Sequence, residues 1–361
     1  MDRLVTSEQP APGPTDGPVA SKIAGRRPHR SPSTMRTPTS WPAAIFWSRT
    51  QGRARAAWLI LLPLIGAYMA TVVADAATSG RLPLPTAQLV ISAASAGVAV
   101  LLVLLSRRSL GARRGLAGYG LSLDRRWIRD AVAGFGIGVV GVSIPFLIAM
   151  AAGWVEIAAV LDRGEMALWP GILLYCVAML FTALWEELVL RGVFLATAAD
   201  GLRRWLSPKL AVTGGLVLSG VVFGLGHLGQ ATHPALILTW VLSGIMFGLI
   251  YLLSGNLAIP IGVHAAFNIT VNVLFTRTDV VGLSDLSALV RVDVDPSLTY
   301  LTLGGALEAS GFVVIGILAF LWIRHTRGAL AVNLNALDIE APEDPNRDAE
   351  IATDCTAANP V

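Results

Sequence analysis

The feature that most constrains this chain is a series of long apolar runs separated by short charged loops. Eight runs lie near 56–78, 86–105, 131–153, 169–195, 210–230, 235–254, 257–276 and 302–323, most of them about 20 residues or longer. About 20 apolar residues in a helix cross the roughly 30 Å of a bilayer's hydrocarbon. Lipid offers backbone N–H and C=O groups no outside partner, so such runs are expected to be helical. Charged residues make up only 14% of the chain and are removed in blocks, against about a quarter in a soluble domain. The expected fold is an all-α membrane protein, a bundle of about eight transmembrane helices.

The runs occupy residues 53–327. Residues 1–52, rich in Pro, Ser, Thr and Arg with almost no apolar period, read as a disordered tail. The first long apolar run begins near Ala56, too far from the start for a secretory signal. Residues 328–361 carry Asp338, Glu340, Glu343, Asp344, Asp348 and Glu350 and read as a disordered acidic tail. Basic residues set the expected orientation. Arg107, Arg108, Arg113, Arg114, Arg125, Arg126 and Arg129 follow the second run, and Arg203, Arg204 and Lys209 follow the fourth. Arg53 and Arg55 precede the first, and Arg324 and Arg327 follow the last. The alternate loops hold little more than Arg81 and Arg163, so both termini are expected in the cytoplasm. The Arg- and Ala-rich composition fits a bacterial cell membrane. The pairs Gly134/Gly138 and Gly244/Gly248, spaced by four, suit close helix packing. Cys176 and Cys355 form no CxxC, so neither a disulfide framework nor a thiolate metal site is expected.

Three runs contain polar groups that lipid penalises. The fourth reads FTALWEELVLRGVFLATAA, with Glu186, Glu187 and Arg191 flanked by apolar residues on both sides. An ionisable group at mid-membrane costs about 2.5–3.5 kcal/mol by insertion scales, so it needs a reason. Glu187 and Arg191 are i,i+4 and pair on one helix face. Glu186 is turned about 100° from Glu187, which leaves it unpaired within its own helix and makes it the better base. A shorter helix would leave Glu186 wet at its end, but the run VFLATAA after Gly192 argues against that. The fifth run reads VVFGLGHLG and puts Phe223 one turn from His227. The seventh reads LAIPIGVHAAFNITVNVLF, in which His264, Asn268 and Asn272 form one stripe.

Taken singly, a histidine or asparagine in an apolar run is ordinary helix–helix glue. Together, a carboxylate, two imidazoles and an amide on three helices are the parts needed to activate a water against a carbonyl. The carboxylate takes the proton, an imidazole orients the water or shares that proton, and the remaining imidazole and amide can donate to the oxyanion. Glu308 near the start of the eighth run reads as a surface cap, and Trp185 as packing.

Glu186-Glu187-x-x-x-Arg191, Phe223-x-x-x-His227 and His264-x-x-x-Asn268 resemble, in order, the three motifs of the CAAX-processing and bacteriocin-immunity (CPBP or Abi) proteases, over about residues 165–275. The resemblance implies an intramembrane glutamate-dependent endopeptidase built as an eight-helix bundle. It implies Glu186 and His227 on the water, His264 and Asn268 on the oxyanion, and Glu187, Arg191 and Phe223 in support. The family's history of metal dependence leaves zinc on Glu186, His227 and His264 as the lesser alternative; nothing resembles HExxH, and no cofactor is expected. The expected partners are a membrane-associated peptide or protein substrate and the lipid bilayer, with no nucleic acid. A transporter using buried Glu, Arg and His, or a catalytically silent scaffold, are the other readings. Absent repeat symmetry disfavours the first and intact motifs the second.

Overall fold

The computed structural model describes residues 45–48, 52–231, 233–280, 282–295, 297–298 and 305–332. Most of the two terminal tails therefore lies outside the described residues. The elements are β1 (Trp47–Ser48), β2 (Arg53–Ala54), α1 (Ala56–Thr78), α2 (Leu84–Ser109), α3 (Arg125–Ala151), β3 (Val155–Asp162), α4 (Leu168–Glu187), α5 (Ala196–Leu202), α6 (Pro208–Gly226), α7 (Pro234–Ser254), α8 (Ala258–Ile269), β4 (Thr276–Arg277), β5 (Ala288–Val294) and α9 (Ala306–Arg327). A π-helical stretch, Leu188–Leu195, joins α4 to α5, so that Leu168–Leu202 is one span of 35 residues. A second, Thr270–Leu274, extends α8.

Seven helices are long and apolar enough to cross a membrane, and Ala258–Leu274 is a shorter apolar helix between two of them. The protein is thus an integral, multi-pass membrane protein, and each expected span has a helix in its place. Local sequence sets the helix ends. Pro208 and Pro234 stand at the first helical positions, where a missing N–H costs nothing. Asp124 caps α3 by accepting from the Trp127 N–H at 2.9 Å. Gly255 ends α7 in the left-handed region, at φ 75°.

Successive spans run in opposite directions, which puts the segments after α3 and after α8 on one side of the bundle. There they form a sheet that the all-α expectation lacked, in the order β3-β5-β4. β3 pairs antiparallel with β5 in the register Val155↔Val294 to Asp162↔Ala288, and β4 runs parallel to β5. Arg291 of β5 binds Asp162 and donates to the carbonyls of Leu283, Ser284 and Leu286. The Arg-rich loops lie on the opposite side. On that side Asp130, fully buried in α3, accepts from Arg327 at 2.6 Å, Arg129 at 3.1 Å and the Trp322 indole at 3.3 Å. This ties α3 to the end of α9.

Glycine governs the packing around α8. A Cβ on Gly134 or Gly138 of α3 would sit 2.6 Å from the Ile259 carbonyl oxygen or 2.8 Å from that of Val263. On the facing side, a Cβ on Gly262 would lie 2.2 Å from the Ala131 oxygen and 2.8 Å from the Phe135 nitrogen. These are backbone atoms of another helix, which have no rotamer to yield. Gly262→Ala is therefore expected to push α3 and α8 apart and cost about 1–3 kcal/mol, read as a lower Tm of the purified protein in detergent.

Candidate functional site

Glu186 and Glu187 end α4, and Arg191 lies in the π-helical stretch directly after them. Short π segments inside α-helices recur at functional sites because the wider turn re-aims side chains. Glu187 and Arg191 are both fully buried, and the expected ion pair is present: Arg191 Nη1 donates to Glu187 Oε1 at 2.8 Å. Nη2 donates to the Gly244 carbonyl of α7 at 3.3 Å. The guanidinium also lies over two aromatic faces, 4.4 Å from the Phe223 ring centroid and 5.2 Å from that of Phe247. A cation shielded from water this way gains from ring quadrupoles as well as from its carboxylate.

His264 of α8 meets both glutamates. Its Nδ1 donates to Glu187 Oε1 at 2.8 Å, and its Nε2 lies 3.8 Å from Glu186 Oε2. A carboxylate is an acceptor only, so Nδ1 carries a proton, and Nε2 is the nitrogen turned toward Glu186. The imidazole is stacked on Phe247 (5.4 Å, 11°) and meets Phe223 edge-on (5.9 Å, 80°). Glu186 itself is largely buried, and its Oε2 has no hydrogen-bond partner among the described residues. The 100° between neighbouring positions thus sends the two carboxylates to the two nitrogens of a single ring.

His227 follows the last residue of α6. Its Nδ1 donates to the Phe223 carbonyl at 2.8 Å, which leaves Nε2 as the uncommitted nitrogen of the ring. It packs on Phe223 (4.6 Å) and on Trp240 of α7 (5.2 Å). Phe223 consequently touches both imidazoles and the guanidinium. Asn268 stands one turn beyond His264 on α8 and is half-buried. Asn272, a turn further, has its side chain near Tyr175 of α4. The Phe247 ring, the Gly244 carbonyl, Trp240 and Tyr175 complete the surroundings and were not read from the sequence. Tyr175 had a signal, since it precedes Glu186 by 11 residues, about three turns of helix. Glu308 lies in the first turn of α9, half-buried against the Trp240 indole and in the field of Arg277, rather than as a bare surface cap.

Zinc on Glu186, His227 and His264 would have to be held by the carboxylate and the two Nε2 atoms. His264 Nδ1 is engaged by Glu187 and His227 Nδ1 by a carbonyl, with the Phe223 ring against both. Among the described residues no three His, Cys, Asp or Glu side chains are placed to hold a metal ion.

Residues 166–270 match the family model of the type II CAAX prenyl endopeptidases, Rce1-like. This segment is a CAAX-protease-family core. The family core runs from just before α4 into the π-helical end of α8, and Glu186, Glu187, Arg191, Phe223, His227, His264 and Asn268 all fall inside it. A peptidase-family core is thus set in a multi-pass helical bundle, with α1 to α3 and α9 outside the matched residues. No curated protein and no solved structure matches the chain.

Proposed function

We propose that this chain is an intramembrane endopeptidase that hydrolyses a peptide bond of a membrane-associated peptide or protein with a water activated by Glu186. The observation that carries this reading is the buried, unpartnered Oε2 of Glu186, 3.8 Å from the Nε2 of an imidazole whose other nitrogen is already held. That separation is too long for a direct hydrogen bond, which leaves the Oε2 lone pairs available to a water. In the proposed reaction Glu186 takes a proton from the water as its oxygen bonds to the substrate carbonyl carbon, and the carbonyl electrons move onto oxygen. His227, with its Nε2 as acceptor, orients the water. Asn268, and His264 when its Nε2 carries a proton, donate to the oxyanion. The C–N bond then breaks, and Glu186 returns its proton to the departing nitrogen.

Glu187 and Arg191 act as positioning residues in this scheme. The pair fixes which nitrogen of His264 holds the proton and keeps the ring between the two carboxylates. We favour a metal-free reaction, since among the described residues Glu186, His227 and His264 do not come together as a three-ligand set. The basic-rich loops and the ends of α1 and α9 that share their side are assigned to the cytoplasm.

The test is a library of lipid-anchored peptides incubated with the purified protein in liposomes, in 18O-enriched water, with products read by mass spectrometry. One 18O in the new carboxylate, and cleavage that survives a strong chelator, are the expected results. His227→Ala should lower the rate by about 10²-fold or more with the helical circular dichroism retained. A folded wild-type protein that cuts no member of the library overturns the reading. Activity lost to the chelator and restored by zinc overturns its metal-free form.

A further inference from the structure

The segment between α3 and α4 carries a second kind of surface. β3 is an edge strand: β5 covers one side of its backbone, and no described strand covers the other. Its side chains nevertheless are largely apolar and exposed, with Ile157 55%, Val160 62% and Leu161 56% accessible. Long, exposed apolar edges are a hazard in water and are normally blunted or covered. The strand is bracketed by exposed apolar residues that belong to the lipid-facing belt, Leu147 and Ile148 in the last turns of α3 and Leu173 in the first turns of α4. Two exposed tryptophans flank it, Trp154 directly before the strand and Trp169 in the first turn of α4. Indoles at the ends of spanning helices settle at headgroup level.

Two demands conflict in this strand. The apolar side chains favour leaving water, while unpaired backbone N–H and C=O groups cannot enter hydrocarbon without a large cost. The headgroup–acyl boundary satisfies both, because it is apolar on one side and hydrated on the other. We propose that β3 is an interfacial strand, resting its apolar side chains on the bilayer on the side opposite the Arg-rich loops and keeping its free edge hydrated. The charges on the strand are acidic, Glu156 and Asp162, and Arg291 holds the Asp162 carboxyl below the usual carboxylate range through its hydrogen bond. The attraction is therefore apolar, with no preference for anionic lipid. Nothing in this placement depends on proteolysis.

The experiment uses the full chain with Cys176→Ala and Cys355→Ala, carrying Val160→Cys or, as a reference on the same side, Ser284→Cys. Each is labelled with an environment-sensitive fluorophore and reconstituted in phosphatidylcholine vesicles. The label at 160 is expected to emit to the blue of the label at 284 and to be quenched by a shallow spin-labelled lipid more than by a deep one, unchanged by salt. Without label, the Val160→Cys protein should react with a membrane-impermeant maleimide at least about tenfold more slowly than the Ser284→Cys protein, a readout free of any disturbance by the fluorophore. Emission at 160 like that of a water-exposed probe, with rapid maleimide reaction, overturns the proposal. So does shielding that appears only as the protein-to-lipid ratio rises, or only on addition of an extended peptide. Either outcome assigns the edge to strand addition by another chain.

Discussion

Glu186→Gln is expected to lower cleavage by about 10²–10⁴-fold, the range supplied by a positioned general base, while leaving the fold intact. The substitution keeps the size of the side chain and removes only the ability to take a proton. Oε2 has no hydrogen-bond partner among the described residues, so no folded-state bond is broken. A carboxamide at this place can donate to His264 Nε2 whenever that nitrogen is unprotonated, and can accept from it otherwise. The protein should therefore purify with wild-type helicity and a Tm close to that of the parent. Rate loss without Tm loss separates a reacting group from a packing group. Cleavage of the peptide library at the wild-type rate by Glu186→Gln would remove Glu186 from the mechanism.

The opposite pattern is expected one turn away. Arg191→Met keeps an apolar stem between Phe223 and Phe247, yet it strands Glu187 as an unmatched charge in a site with no solvent exposure. Breaking a buried pair from one side costs about 3–5 kcal/mol, far more than the intact pair contributes against an apolar substitute. A large fall in Tm, or in the denaturant midpoint in mixed micelles, is the expected result. Arg191→Lys should fall between the two, because an ammonium keeps the charge but lacks the planar fork that serves Glu187 and the Gly244 carbonyl together. Arg191→Met with an unchanged Tm would mean that Glu187 has another way to satisfy or shed its charge. The two substitutions thus test opposite sides of one helix, the first through rate and the second through stability.

What the sequence made legible follows from how strongly lipid constrains a chain. A helix period and a length near the membrane thickness are hard to miss, and every expected span has its helix. The angle between adjacent positions was enough to send Glu187 to Arg191 and Glu186 elsewhere, because that relation is internal to one helix. What remained hidden depends on contacts between helices. Glu187 reaching His264, Arg191 lying between Phe223 and Phe247, and Asp130 held by Arg327 each join residues far apart in the chain. The sheet had a partial signal. Ala288–Val294 reads ALVRVDV, in which polar Arg291 and Asp293 alternate with valine as in a half-buried strand. Its partner, VEIAAVLD, lacks that alternation because apolar side chains occupy both of its faces.

The π-helical stretch after Glu187 had no signature in the residues, and its effect reaches beyond the site. Each wide turn holds one residue more than the α pitch, so the helix leaves Leu195 rotated from the phase with which it entered at Leu188. At about 100° per residue, one extra residue is over a quarter of a revolution. The glutamate-bearing half and the half that ends on Asp200, beside Arg53 at 2.7 Å, are therefore set to separate angular frames within one continuous rod. Shortening Leu188–Leu195 by a single residue would restore a uniform screw and swing Asp200 and its neighbours out of alignment, so the length of this stretch is as much a determinant of the architecture as the identity of its side chains.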